Sequence, residues 1–113
     1  MILQHQQMYE TITTTTLTYG EELAIYVPHR SVAFHVDNDL NQTTTIQILG
    51  YNWNSGSWEN VGSSFTVAAS GHEVRTLTPE SSGLYVQYQV SAQCTVAPTS
   101  GTLDVKTYVD LGD

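Results

Sequence analysis

Two runs in the second half of the chain alternate apolar and polar residues. Leu84, Val86, Tyr88, Val90, Ala92 and Cys94 interleave with Tyr85, Gln87, Gln89, Ser91 and Gln93. Leu103, Val105, Thr107, Val109 and Leu111 interleave with Asp104, Lys106, Tyr108 and Asp110. Successive side chains of a strand point to opposite faces, so each run predicts a strand with one buried and one wet face. Ala97-Pro98-Thr99-Ser100-Gly101 separates them as a turn, since Pro fixes φ and Gly permits positive φ. The two strands are expected as antiparallel neighbours or as a short crossover between sheets. Val32, Phe34 and Val36 repeat the pattern, as do Thr44, Ile46 and Ile48, and shorter strands are expected at Leu23–Val27, Phe65–Ala68 and Glu73–Leu77.

Turn residues recur every eight to twelve positions: Pro28–Arg30, Asp37–Asn41, Asn54–Ser57, Ser70-Gly71, Pro79–Gly83 and Pro98–Gly101. No window shows a helical period. Short strands at that spacing predict an all-β, antiparallel two-sheet β-sandwich, jelly-roll or Ig-like, of about eight strands. The sandwich is expected over residues 21–113. Residues 1–20, with a Thr-rich stretch Thr11–Thr18 carrying only Ile12 and Leu17 as apolar anchors, read as an N-terminal arm or an edge strand.

Composition narrows the function. At 113 residues the chain suits one domain. Only 12% of residues are charged, about half the usual share, and Thr, Ser, Gln and Asn take the polar positions. Three basic residues (Arg30, Arg75, Lys106) against eleven acidic ones give a net charge of −8. Phosphate contacts depend on Lys and Arg, so nucleic acid and anionic membranes are disfavoured as partners. Cys94 is alone, which removes an intramolecular disulfide, and it ends an alternating run as a small buried hydrophobe would. The first residues lack the basic and apolar regions of a signal peptide, and no stretch approaches a membrane span.

Candidate chemistry is sparse. Asp37, Asp39 and Asn41 alternate as calcium loops begin, yet Thr43 stands near the required Gly and Ile48 where a bidentate Glu belongs. A looser calcium site and an Asx-rich hairpin turn are the two readings. Tyr51, Trp53 and Trp58 surround the Asn54–Ser57 turn. Trp53 and Trp58 could form a cross-strand pair, and loop aromatics can cap the core, anchor a protein interface or stack on sugar rings. His5, His29, His35 and His72 show no metal-ligand spacing; His35, opposite Phe34 in its strand, is expected to face solvent. No nucleophile elbow, phosphate loop or distinguished pair of carboxylates is present, so catalysis and cofactors are not expected.

The segment from Ser31 to Leu111 resembles β-sandwich domains of small virion proteins of tailed bacteriophages. The residues that carry the likeness are Val32-Ala33-Phe34-His35-Val36-Asp37-Asn38, Gly62–Ala69, the alternation around Tyr85–Ala92, and Ala97–Leu103. The resemblance implies a capsid decoration or head–tail accessory protein, made in a host cytoplasm and carried on the virion, that binds itself as a homo-oligomer and other virion proteins. In that setting Tyr85, Tyr108 and Trp53 are candidate interface anchors, and residues 1–19 a docking arm that adds as a strand to a neighbouring sheet. The runner-up is a carbohydrate-binding sandwich module using Tyr51, Trp53 and Trp58.

Overall fold

The computed structural model describes residues 1–79 and 84–112. Ten strands follow in order: β1 (Ile2–Glu10), β2 (Thr18–Tyr19), β3 (Leu23–Ala24), β4 (Ser31–Asn38), β5 (Thr44–Asn52), β6 (Ser57–Asn60), β7 (Phe65–Val67), β8 (Gly71–Leu77), β9 (Gln87–Cys94) and β10 (Leu103–Asp110). They form two antiparallel sheets packed face to face, a β-sandwich. One is four-stranded in the order β1-β10-β4-β8. The other is built on the central pair β9 and β5, with β2 and β3 in tandem along the outer side of β9 and β6 and β7 along the outer side of β5. The count exceeds eight because each edge of this second sheet is two short strands.

The alternation does what it predicts. Val32, Phe34 and Val36 of β4 and Leu103, Val105 and Val109 of β10 point inward, and Ile46, Ile48, Tyr88, Val90, Ala92 and Cys94 face them from the other sheet. Phe34 and Tyr88 meet edge to face across the interface, ring centres 5.7 Å apart. Aromatic pairs prefer this arrangement because a positive ring edge then meets a negative face. Cys94 is buried, with its Sγ 3.3 Å from the Thr44 hydroxyl. β9 and β10 lie in different sheets, so the Pro98–Gly101 turn is a crossover.

Two expectations shift. β9 begins at Gln87, not Leu84: the Tyr85 ring packs so closely over Gly50 that a Cβ there would lie 2.5 Å from it, and this lifts Leu84–Val86 out of the ladder. Asp37–Asn41 is not a hairpin, since β4 and β5 belong to different sheets. Part of the Pro79–Gly83 turn lies outside the described residues.

Within residues 1–20, read from sequence as an N-terminal arm or an edge strand, Ile2–Glu10 forms β1, which pairs with β10 through eight residues with a bulge between Gln6 and Met8. As on an edge strand that buries little, its Ile2, Leu3 and Tyr9 stay exposed. Its anchors are Met8 and Gln7, both buried; the Gln7 amide accepts from the Thr107 hydroxyl and donates to the Glu21 carbonyl.

Candidate interaction surface at one end of the sandwich

β4, β10 and β8 of one sheet and β5 and β9 of the other all run between the same two ends of the sandwich, and the ends differ in chemistry. The end where β4 finishes is closed by polar side chains turned back on their own backbone. Buried Asn38 donates to the carbonyls of Gln42 (3.1 Å), Val67 (2.9 Å) and Ala68 (3.2 Å) and accepts from the Leu40 amide (3.1 Å). The Asn41 amide donates to the Thr99 hydroxyl (2.7 Å) and accepts from the Thr99 main chain (2.9 Å). Leu40 is plugged beneath, wholly buried. Of the calcium candidates, Asn41 is therefore committed to Thr99, and Asp37 lies across from His72 on the outer face of its sheet. Among the described residues no group of three or more His, Cys, Asp and Glu side chains could hold a metal ion.

The opposite end, where β4 begins and β10 finishes, carries the apolar surplus. Twelve large apolar side chains are exposed among the described residues, and Met1, Ile2, Leu3, Tyr26, Val27, Trp53 and Val86 belong to this end. They include Tyr26, exposed to 73%, and Trp53, exposed to 60%. The strand register places them together: Ile2 opposes Asp110, Asp110 opposes Ser31, and the Tyr26–His29 segment leads into Ser31. The Trp53–Gly56 turn closes the β5–β6 hairpin at the same end, because Gly50 pairs with Tyr88 near the start of β9. An open groove lined by Ile25, Tyr26, Val27, Pro28, His29, Leu84 and Val86 runs over it, and among the described residues the His29 Nε2 has no hydrogen-bond partner. This patch is the candidate contact site of the molecule.

The aromatic candidates fall in different places. The cross-strand partner of Trp58 is Tyr51, not Trp53. Tyr51 lies edge-on to both indoles, with ring centres 5.2 Å away in each case, so Trp53 rests on Tyr51 from the turn and stays largely exposed. Beside Trp58 a groove of about 450 Å³ is lined by that residue with Tyr19, Glu22, Leu49 and Gln89. Tyr85 serves the fold: its hydroxyl donates to Glu59 (2.7 Å) and its amide donates to the Tyr88 hydroxyl (2.7 Å). The Tyr85 hydroxyl and the Asn52 amide hold the Glu59 carboxyl below its usual value, against some desolvation, and Glu59 in turn raises the Tyr85 phenol. Tyr108 lies on the far face of the four-stranded sheet, edge-on to His35 at 4.6 Å. His35 is exposed there, beside a cleft that also takes in Asp37, His72, Asp104 and Lys106. Sequence reasoning missed Tyr26 and Val27, because a single Tyr-Val pair reads as the end of a short strand. The Pro28 that follows is the one signal that this pair belongs to a loop.

No family model matches the chain, and no curated protein matches its sequence. Solved structures do. The chain is similar to the exported protein XepA of PBSX, with a TM-score of 0.73 and 12% identity over 98% of this chain. It spans only 38% of XepA. It is similar to the SPBc2 prophage-derived protein YomS, with a TM-score of 0.56 and 14% identity over 96% of this chain and 94% of that one. It is also similar to a Bacillus endospore appendage protein, described as forming disulfide-linked pili, with a TM-score of 0.52 and 15% identity over 98% and 89% of the two chains. At these identities the likeness establishes the fold, and the fold is one that phage-derived proteins use.

Proposed function

We propose that this chain is a non-catalytic structural protein of a phage particle, a capsid decoration or head–tail accessory component, that docks through its apolar end. The observation that carries the reading is the contrast between the ends: one has its polar groups tied up internally, the other presents Tyr26, Val27 and Trp53 to solvent. Tyr and Trp are favoured interface anchors because they bury much area while fixing few torsions. A net charge of −8 with three basic residues favours a protein partner over a nucleic acid. Likeness to phage-derived folds supports the setting. Co-sedimentation with particles from the phage that encodes the chain tests it. Wild type is expected to co-sediment, and a Tyr26→Ser/Trp53→Ala variant of unchanged thermal stability to stay in the supernatant. Retention of the variant at wild-type levels would overturn the reading.

One observation keeps a second reading in play. Trp53 stands out from Tyr51, whose ring also meets Trp58, and Trp58 lines a groove with Tyr19, Glu22 and Gln89, an aromatic and polar setting that suits a sugar. A glycan array decides it: a signal lost in Trp53→Ala and Trp58→Ala supports a carbohydrate-binding module, and no signal from wild type retires it.

A further inference from the structure

The two sheets present four edges, and three of them are blocked to strand pairing. On the second sheet β2 and β3, two residues each, break up one edge, and β6 and β7 break up the other. On the first sheet β8 is long, but the register turns its Glu73 and Arg75 toward the sandwich interior, opposite Val36 and Phe34. There they form an ion pair (2.8 Å), and the Arg75 guanidinium lies 4.2 Å from the centre of the Phe65 ring. Inward-pointing charges and short edge strands are the devices that stop sheets from joining edge to edge.

β1 has few of these devices. It runs for nine residues without Lys, Arg or Pro, its only formal charge is Glu10 at the last position, and among the described residues β10 is its single strand neighbour. The bulge at Gln7 covers part of the second half, because the Gln7 carbonyl there accepts from the Glu21 amide. The stretch Ile2–Gln6 remains open. An open edge offers main-chain donors and acceptors, and another extended backbone matches them.

The geometry points to a second copy of this chain as the occupant, with the two β1 strands running antiparallel about a two-fold axis near Gln4 to give a continuous sheet of two four-stranded halves. This rests on the particle-component reading and names one of its contacts. Antiparallel pairing about Gln4 sets Ile2 opposite Gln6 and Leu3 opposite His5. No carboxylate then faces a carboxylate, which matters in a chain of net charge −8. The same register brings the exposed Ile2 of each copy to the start of the other's groove between Gln6–Glu10 and Tyr19–Glu21. The apolar beginning and grooved finish of one strand meet only in the antiparallel sense, and a two-fold pairing repeats that contact twice.

Light scattering on a dilution series, with hydrogen exchange read at both extremes, tests this on the full chain. Wild type is expected to move from twice the chain mass to the chain mass on dilution, with the amides of Ile2–Gln6 exchanging faster as it does. Leu3→Lys is expected to weaken the association at least about tenfold. The substitution lowers the net negative charge, so general repulsion cannot explain such a loss. Val74→Lys, on the far edge strand, is expected to leave the dimer intact, and circular dichroism on both variants reports that each is folded. A monomer at every concentration, or a dimer whose β1 amides ignore dilution, overturns the inference. Either result with particle binding intact leaves the proposed function standing. A β1-paired dimer that binds no particle does the reverse.

Discussion

Two short segments carry the chain between sheets at opposite ends of β4, and they solve the same problem differently. The Asp39–Thr43 corner leads from β4 to β5, and the segment 25–30 leads from β3 to β4. In the first, the Asn38 side chain supplies four hydrogen bonds to main-chain groups and Leu40 is wholly buried. In the second, the His29 Nδ1 lies 3.0 Å from the Val27 carbonyl of its own turn, while Tyr26 and Val27 face solvent. A buried main-chain polar group must be paired, and an Asn side chain can do this locally for several groups at once. The corner that uses one buries Leu40; the segment without one buries Ile25 but leaves Tyr26 and Val27 outside, where a partner can take them up.

Substitutions at matched positions break or sharpen this contrast. The largest effect is expected at Gly101, which packs under the Asp39 corner with φ +92° and where a Cβ would lie 1.9 Å from the Asp39 carbonyl oxygen. Gly101→Ala must move backbone at the locked end, so a loss of at least about 4 kcal/mol in chemical denaturation is expected. Asn38→Ala leaves several buried main-chain groups unpaired and is expected to cost about 3 kcal/mol by the same measurement. Gly56, at the apolar end, has φ +69°, but a Cβ there would meet only the Tyr51 hydroxyl, at an ordinary 3.8 Å. Gly56→Ala there is expected to cost only about 1 kcal/mol, the strain of the left-handed backbone alone.

Acidification reaches the apolar end through Glu59. The Glu59 carboxyl is held below its usual 4.5 by the Tyr85 hydroxyl and the Asn52 amide. A depressed pKa means that its contribution is full above the ordinary value and is lost as pH falls through the lowered one. Trp fluorescence is therefore expected to report loosening around Trp58 in that acid range, and Glu59→Gln to remove this pH dependence. The smallest effect on stability is expected from Tyr26→Ser and Trp53→Ala, within about 0.5 kcal/mol in thermal melts, since both side chains are mostly in water already.

The fold was legible where burial enforces alternation. The strands through Val32–Val36, Thr44–Ile48, Tyr88–Cys94 and Leu103–Val109 each bury one face, and their pattern shows it. β1 was ambiguous because Ile2 and Leu3 are exposed and its interior anchors are Gln7 and Met8, one of them polar and displaced by a bulge. Leu84–Val86 continued the alternation of β9 on paper, yet Tyr85 packs on Gly50 across the sheet, a contact no local pattern encodes. The interaction surface was half legible. Trp53 stood out as a loop aromatic. Its neighbours at the same end come from residues 1–3, 26–27 and 86, and only strand order and register bring them together.

Hydrogen exchange on the free and particle-bound chain tests the central contrast most directly. In the free chain the amides of Asp39, Leu40 and Thr99 are expected to exchange only with global unfolding, and those of Ile25 and Gly56 much faster through local opening. On binding to the particle, Ile25 and Gly56 are expected to slow while the locked corner stays as it was. New protection confined to the Asp39–Thr43 corner, with the apolar end unchanged, would contradict the account.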